Sequence, residues 1–327
     1  MERCRVTGDG CPKPRHSSSL TLLSPSGLLL LDKPSGPTSH DLVNLIRRGT
    51  GIRRVGHTGT LDPLASGLLI VLVGAATRLS EYLVGADKRY HAVVRFGSAT
   101  DTYDAQGRVT RESPVTFDAA ELRSALQPLR GEIQQTPPQF SALKLKGRPA
   151  YARARAGEEV SLTPRRVTIY SLELLQWSPP FAALDVHCSS GTYIRSLAND
   201  LGLALASAAH LVELRRTQTG PFAIGQAISP DQLRSAFADG LWAGLLRPAA
   251  EALPDMPALW VTPAEAQMLA RGMRVERSGV SADSTTPGQL ARAVTLDGQL
   301  AAIVEWLDSA QAYQPRKVFL ESEPDRR

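Results

Sequence analysis

Residues 56–67 read GHTGTLDPLASG, and the apolar run LLIVLV follows directly at residues 68–73. Glycine lets a backbone approach a ligand closely, and Pro63 disfavours helical backbone at Asp62. The apolar run is typical of a buried strand. The stretch therefore predicts a stiff loop that holds the Asp62 carboxylate beside apolar walls, as an enzyme holds a nucleophile or a base. From these residues alone, an alternative stands equally well: Asp62 satisfies loop amides and His57 packs against the strand.

The elements on either side of this loop follow one another without a regular strand–helix–strand rhythm. A short strand is predicted at residues 27–31, and Thr38–Asp41 opens a helix as a capping box, which Gly49 ends. Further helices are predicted at 75–83, 118–126 and 193–205, and further strands at 90–96, 108–110, 167–175, 184–188, 291–295 and 300–305. No internal repeat is visible. The pattern favours an α+β fold with a mixed or antiparallel sheet.

The length of 327 residues suggests two domains. Residues 1–26 show no hydrophobic period and are predicted to be a disordered leader. Residues 27–247 are expected to form the larger domain, because prolines cluster after it in a linker-like stretch. Residues 248–327 are then expected to form a small β-rich domain, which includes a capped helix that starts at Thr262 and ends at Gly272.

Positive charge is concentrated in one stretch of the chain. The formal net charge is +5, and residues 130–166 alone hold eight basic residues against three acidic ones. Phe140 and Tyr151 are interleaved with these charges. Neutralising phosphates and stacking on bases require this combination, so the stretch predicts an RNA-gripping insertion. The alternative is a basic loop that is merely solvated.

A second unusual stretch, SSGTYIRSL, occupies residues 189–197 and runs from the end of a strand into a helix. Arg195 falls in the first turn of that helix, where a cation gains nothing from the helix dipole. Another partner must favour it, and a buried carboxylate is the natural candidate. The alternative is that Arg195 is a solvated surface residue.

Missing motifs exclude several classes of protein. The chain has no P-loop, no G-x-G-x-x-G, no H-E-x-x-H and no metal-spaced set of Cys and His, so neither a cofactor nor a metal is expected. The longest apolar run, residues 65–76, is too short to cross a bilayer. Three cysteines without a CxxC pair fit a reducing compartment, and Pro25 and Asp32 interrupt the leucine-rich stretch that a secretion signal would need. The cytoplasm is the expected location.

Several blocks resemble, in the same order, the motifs of the TruB family of tRNA pseudouridine synthases. The blocks are LDKPSGPTS (31–39), GHTGTLDPLASG (56–67), KRY (88–90), PPQFSA (137–142), GTYIR (191–195) and HLVELRR (210–216). The resemblance spans residues 27 to about 225 and weakens after Pro248. It implies a pseudouridine synthase catalytic domain with a PUA-like RNA-binding domain after it. It also implies an enzyme of the bacterial type, which isomerises uridine-55 in the T loop of tRNA.

The resemblance assigns roles to individual residues. Asp62 aligns with the family's catalytic aspartate, and Arg195 aligns with the arginine that pairs with it and would lower its pKa. Tyr90 aligns with the family's tyrosine that stacks on the flipped uracil, and it is a candidate catalytic residue for the transfer of the uracil's proton.

Four further residues align with positions that bind or support the substrate. His57 matches a histidine that contacts the RNA where the target base leaves the stack. Tyr193 and Leu214 match positions that line the uridine pocket, and Lys33 belongs to a motif that supports the substrate site.

Two other functions remain open on the sequence. One is an RNA chaperone that opens the tRNA elbow with its basic insertion and its PUA-like tail. The other is a synthase that modifies other RNAs within a ribonucleoprotein. The insertion is expected to let the chain grip the T arm as a monomer, without a guide RNA or an obligatory protein partner.

Overall fold

The structure is a computed structural model that describes residues 25–140, 144–145, 148–149, 162–277 and 286–320. The strands are β1 (Gly27–Lys33), β2 (Val55–His57), β3 (Ser66–Val73), β4 (Lys88–Phe96), β5 (Ser98–Thr100), β6 (Val109–Glu112), β7 (Gly131–Gln135), β8 (Lys144–Leu145), β9 (Arg148–Pro149), β10 (Arg165–Ser178), β11 (Phe181–Cys188), β12 (Ala209–Thr219), β13 (Phe222–Ala223), β14 (Ala258–Val261), β15 (Val275–Glu276), β16 (Leu290–Thr295), β17 (Leu300–Leu307) and β18 (Ala312–Val318). The helices are α1 (Ser39–Thr50), α2 (Ser80–Val84), α3 (Ala119–Leu126), α4 (Ile194–Ala204), α5 (Pro230–Ala238) and α6 (Pro263–Ala270). Of the predicted leader only residues 25 and 26 are described, and most of the basic stretch between 141 and 161 lies outside the described residues.

A large mixed sheet forms the centre of the molecule. Its strand order is β1-β3-β12-β4-β11-β10-β7, with β2 paired to β3 and β13 paired to β12. Most neighbours run antiparallel, but β12 lies parallel to β3 over a short stretch. The predicted α+β fold with a mixed sheet is confirmed. The sheet brings β3, which follows the Asp62 loop, next to β12, and β4 lies on the other side of β12.

The two faces of this sheet bury different sets of apolar residues. Successive residues of β1 alternate between the faces, so its leucine run fills both: Leu29 and Leu31 lie on one side, Leu28 and Leu30 on the other. On the first side, helices α1, α3 and α4 cover the sheet through Ile46, Leu122, Leu126, Leu197 and Leu201. A strand buried on both faces reads as a continuous apolar run, which explains why β1 and β3 are so apolar in sequence.

The second sheet holds five strands in the order β14-β16-β17-β18-β15, which confirms the expected β-rich C-terminal unit. Its residues Val294, Leu300 and Ile303 share one hydrophobic cluster with Leu28 and Leu68 of the large sheet.

Polar contacts connect the same two sheets. Arg78 Nη1 donates to the carbonyl oxygen of Val318 at 2.6 Å, and Lys317 Nζ donates to the carbonyl oxygen of Arg78 at 3.0 Å. The two sheets therefore share a continuous core and a polar border.

The end of α1 differs from the prediction. The helix continues through Gly49 to Thr50, and Gly51 is the residue in the left-handed conformation, with φ 72°, that caps it. A side chain at Gly49 would collide with the ring of Phe237 on α5. Gly49 is therefore needed for close helix packing, and Gly51 supplies the helix end.

The predicted helix 75–83 is also different in detail. It is a 3₁₀ turn at Gly74–Leu79 followed by the short α2. No helix in the described part of the chain is long and apolar enough to cross a bilayer.

Candidate active site

Two buried polar side chains, those of Ser39 and Lys33, hold the Asp62 loop (residues 58–65) through hydrogen bonds to its main chain. Ser39 Oγ accepts from the Leu61 amide at 2.8 Å and donates to the Leu61 carbonyl at 3.0 Å. Lys33, which is 0% exposed, donates from Nζ to the carbonyl oxygen of Ala65 at 2.6 Å. The loop is thus fixed immediately before and three residues after the carboxylate.

Arg216 on β12 holds the same loop from the side. Its Nε donates to the carbonyl oxygen of Leu68 at 2.7 Å, and its Nη2 donates to that of Gly59 at 3.0 Å. One buried guanidinium therefore connects β12, β3 and the loop that carries Asp62.

Arg195 forms an ion pair with Asp62. Its Nη2 lies 2.9 Å from Asp62 Oδ2, and the side chain of Arg195 is 6% exposed while that of Asp62 is 40% exposed. The alternative of a solvated surface arginine is therefore wrong, and the carboxylate partner inferred from its place in the helix is present. Asp62 remains open to a molecule in the cleft.

The other side of the Arg195 guanidinium is fixed by the turn between β5 and β6. Nη1 donates to the carbonyl oxygen of Thr102 at 3.2 Å and lies 3.4 Å from Asp104 Oδ2. Asp104 is buried, and its Oδ1 accepts from the Gln106 amide at 3.0 Å. Sequence reasoning missed Asp104, because its surroundings read as an ordinary polar turn and nothing in them separates it from Asp101.

The pKa of Asp62 is raised above the usual aspartate value, chiefly because burial in the cleft desolvates the carboxylate. The Arg195 charge opposes this shift, and the Asp104 charge adds to it. Arg195 thus lowers the pKa of Asp62, as expected, but desolvation outweighs this contribution and the net shift is upward. The loss of water outweighs the gain from one cation that Asp62 shares with a second carboxylate.

The cleft in front of the ion pair has a volume of about 440 Å³, and Asp62, Tyr90, Tyr193, Arg195 and Leu214 all line it. This volume falls in the range of small-molecule sites. The two tyrosine rings and several aliphatic side chains, Leu214 among them, give the cleft apolar surface, and the ion pair gives it a charged end. Such a cleft suits a flat, partly polar ring.

Three cations that line the cleft had no assigned role. They are Lys88, Arg165 and Arg216. Burial and the charge of Arg216 lower the pKa of Lys88 to about 8, and its Nζ donates to the carbonyl oxygen of Val84 at 3.0 Å. Lys88 and Arg216 fall inside the blocks KRY and HLVELRR that resemble the TruB family, and this position in the motifs is the sequence feature that could have indicated a role for them.

Two of the predicted binding residues lie outside the cleft lining. His57 ends β2, and burial together with the Arg216 charge lowers its pKa. Its Nδ1 is buried and has no hydrogen-bond partner within the described residues. Lys33 lies beneath the loop and therefore acts on the cleft through the loop.

The fold is that of the pseudouridine synthases. Protein in the solved "H/ACA RNP bound to a substrate RNA containing 2'-deoxyuridine" matches at a TM-score of 0.66 and 26% identity, over 91% of this chain and 86% of that one. A chain of a Cbf5-Nop10-Gar1 complex matches at 0.66 and 28% identity, over 90% and 85%.

The sequence comparisons define the family. Residues 47–194 match the family model "TruB family pseudouridylate synthase (N terminal domain)", and residues 195–253 match "tRNA pseudouridylate synthase B C-terminal domain". The chain belongs to the TruB family. It is 42% identical to tRNA pseudouridine synthase B of Azoarcus sp. strain BH72 over 86% of this chain and 91% of that protein. It is also 42% identical to the protein of that name from Thermobifida fusca strain YX, over 90% and 98%.

Proposed function

We propose that this chain is a tRNA pseudouridine synthase that isomerises the T-loop uridine, uridine-55, with Asp62 as its catalytic carboxylate. The observation that carries the proposal is the 2.9 Å contact between Asp62 and Arg195 in an open cleft that Tyr90 also lines. The relatives named tRNA pseudouridine synthase B support the substrate class.

The reaction explains why one carboxylate suffices. The C1′–N1 bond of uridine breaks, the uracil turns, and a C1′–C5 bond forms, while C5 loses a proton and N1 gains one. A carboxylate can promote this by adding to C1′, by adding to C6 of the uracil or by removing the C2′ proton, and each route needs the charged form of Asp62. Arg195 favours that form against the effect of burial. The apolar lining keeps water from a reactive sugar intermediate.

The target base must leave the RNA stack before Asp62 can reach it. Extrusion costs a few kcal/mol of unstacking, and a ring such as Tyr90 offsets part of this cost by stacking on the uracil. Tyr193 and Leu214 line the uridine pocket. His57 contacts the RNA where the base leaves, and Lys33 supports the loop of Asp62.

Other parts of the chain bind the T arm of the tRNA. Residues 27–247 form the catalytic domain, the basic stretch at 130–166 grips the RNA, and residues 248–327 form a PUA-like RNA-binding domain. The chain works in the cytoplasm as a monomer without an obligatory protein partner. In support of a site that needs no second subunit, Asp62 and Arg195 of a single chain form the 2.9 Å contact, and Tyr90 of the same chain lines their cleft.

Chemical mapping of pseudouridine in an unmodified tRNA transcript, after incubation with the purified chain, tests the function. We expect the wild-type chain to modify uridine-55, Asp62→Asn to abolish modification while keeping tRNA affinity within about 3-fold, and the exposed Asp239→Asn to behave as the wild type. Binding of the transcript without modification by the wild-type chain would favour the RNA chaperone. Near-normal turnover by Asp62→Asn would contradict the role of Asp62.

A further inference from the structure

The amide of Gln135 is buried at the end of β7 and grips the backbone of a single residue. Gln135 is 1% exposed. Its Nε2 donates to the carbonyl oxygen of Tyr193 at 3.0 Å, and its Oε1 accepts from the Tyr193 amide at 2.8 Å. Both polar main-chain groups of Tyr193 are therefore held by one side chain.

Tyr193 is the residue from which α4 starts. It caps the helix without a side-chain hydrogen bond, and its carbonyl oxygen accepts from the Leu197 amide at 3.1 Å. Because a helix extends rigidly from its first turn, the position of Tyr193 fixes the position of Arg195 two residues later. The first turn lacks the side-chain cap that most helix starts use, and Gln135 supplies the missing restraint from another element.

The contacts next to Gln135 act on the same turn of helix. Ser196 Oγ donates to the carbonyl oxygen of Thr136 at 2.7 Å, and Arg195 Nη2 donates to that of Phe140 at 3.0 Å. The segment from Gln135 to Phe140 thus follows the start of α4 and contacts Tyr193, which caps the helix, and Arg195 and Ser196 in its first turn.

The ring of Tyr193 is held as well. The Arg165 guanidinium carbon lies 4.8 Å from the centre of that ring, within range of a cation–π contact. Arg165 and Gln135 are opposite each other in the β10–β7 ladder. One cross-strand pair therefore restrains both the backbone and the side chain of Tyr193.

We propose that Gln135 is a positioning residue for the isomerisation, because its grip on Tyr193 sets the start of α4 and with it the distance between Arg195 and Asp62. This inference depends on the function proposed above. Rates fall steeply when a catalytic group moves by about 1 Å, on the order of 100-fold. Gln135 touches neither the cleft nor Asp62, so it acts only through Tyr193 and Arg195.

The test compares two glutamines that are adjacent on β7. Gln135→Met keeps the length of the side chain and removes both hydrogen bonds, and Gln134→Met makes the same change at an exposed position. On the unmodified transcript we expect kcat of Gln135→Met to fall about 100-fold with KM within about 3-fold of the wild type. The acid limb of its pH–rate profile should move to higher pH, because a displaced Arg195 favours the charged Asp62 less. Gln134→Met should change neither.

Folding is checked by circular dichroism, and Gln135→Glu covers the case in which Gln135→Met does not fold. The glutamate keeps an acceptor for the Tyr193 amide and loses the donor to the Tyr193 carbonyl. We therefore expect a smaller loss of kcat, about 10-fold, and a shift of the acid limb of the pH–rate profile to higher pH. A folded Gln135 variant with wild-type kcat and pH profile overturns the proposal. An inactive wild-type chain would instead overturn the proposed function and would show itself before any variant is measured.

Discussion

The Nζ of Lys33 lies 2.6 Å from the carbonyl oxygen of Ala65, three residues after Asp62. It also donates to the carbonyl oxygen of Pro34 at 2.9 Å. Burial lowers the pKa of Lys33 to about 8. A buried cation satisfied by main-chain carbonyls is a structural support, and the part it supports is the loop that presents the carboxylate.

Replacing Lys33 by Met should leave these carbonyl oxygens buried without a donor. We expect the free energy of unfolding to fall by about 1–3 kcal/mol and turnover to fall because the Asp62 loop loosens. Arg234→Met, at an exposed ion pair with Asp231, should cost less than about 1 kcal/mol. Urea titration of both variants measures the difference, and equal losses would contradict the support role.

The Asp104 carboxylate should raise the pH at which turnover falls on the acid side. Activity needs the charged Asp62, whose pKa is raised, so turnover should fall as the pH drops through a value above the usual 3.8. The Asp104 carboxylate contributes to that rise. Removing its charge with Asp104→Asn should lower the pKa of Asp62 and move the acid limb to lower pH.

The control for this variant lies in the same turn. Asp101→Asn changes an exposed carboxylate that accepts from the Arg108 amide, and its normalised pH–rate profile should match the wild type. A limb that stays in place in Asp104→Asn, or that moves equally in both variants, would show that Asp104 does not act on Asp62 through its charge.

Gly49 and Phe237 should be coupled in stability. Alanine favours a helix interior over glycine by up to about 1 kcal/mol, but a methyl group at position 49 meets the Phe237 ring. Gly49→Ala should therefore destabilise the chain, by about 1–3 kcal/mol. In Phe237→Leu the same change should cost less, which a double-mutant cycle of unfolding free energies would measure.

The sequence alone was enough to predict the Asp62 loop, the buried strand that follows it and the place of Arg195 at a helix start. These features depend on local signals, namely glycine and proline spacing, apolar runs and an arginine where the helix dipole does not favour it. The resemblance added the pairing of Asp62 with Arg195, which local chemistry left open.

Features that depend on distant contacts were not predicted. The strand β12 escaped notice because its sequence mixes apolar residues with arginines, and only the structure shows that Arg216 is buried by its contacts with Gly59 and Leu68. The sequence predicts that α1 ends at Gly49, because it does not show that Phe237 packs against this glycine. The raised pKa of Asp62 comes chiefly from burial in the cleft, and Asp104, which contributes to it, lies in a turn with no distinguishing residue.

Ile303 connects the two sheets, because it belongs to the hydrophobic cluster that also contains Leu28 and Leu68. Ile303→Ala should lower the free energy of unfolding by about 2–5 kcal/mol. We expect this loss to shift the whole melting curve. Calorimetry that shows two separate transitions, with only one of them shifted, would contradict a shared core.

The shared core also limits how the chain can be divided or recombined. If the C-terminal sheet were cut off near residue 253, the cluster that contains Leu28 and Leu68 would lose Val294, Leu300 and Ile303, and the apolar surface that these three residues cover would tend to make the shortened protein aggregate. A fusion of this C-terminal sheet to another enzyme would leave its own apolar face uncovered, unless the fusion also included the leucines of β1 and β3 that pack against it.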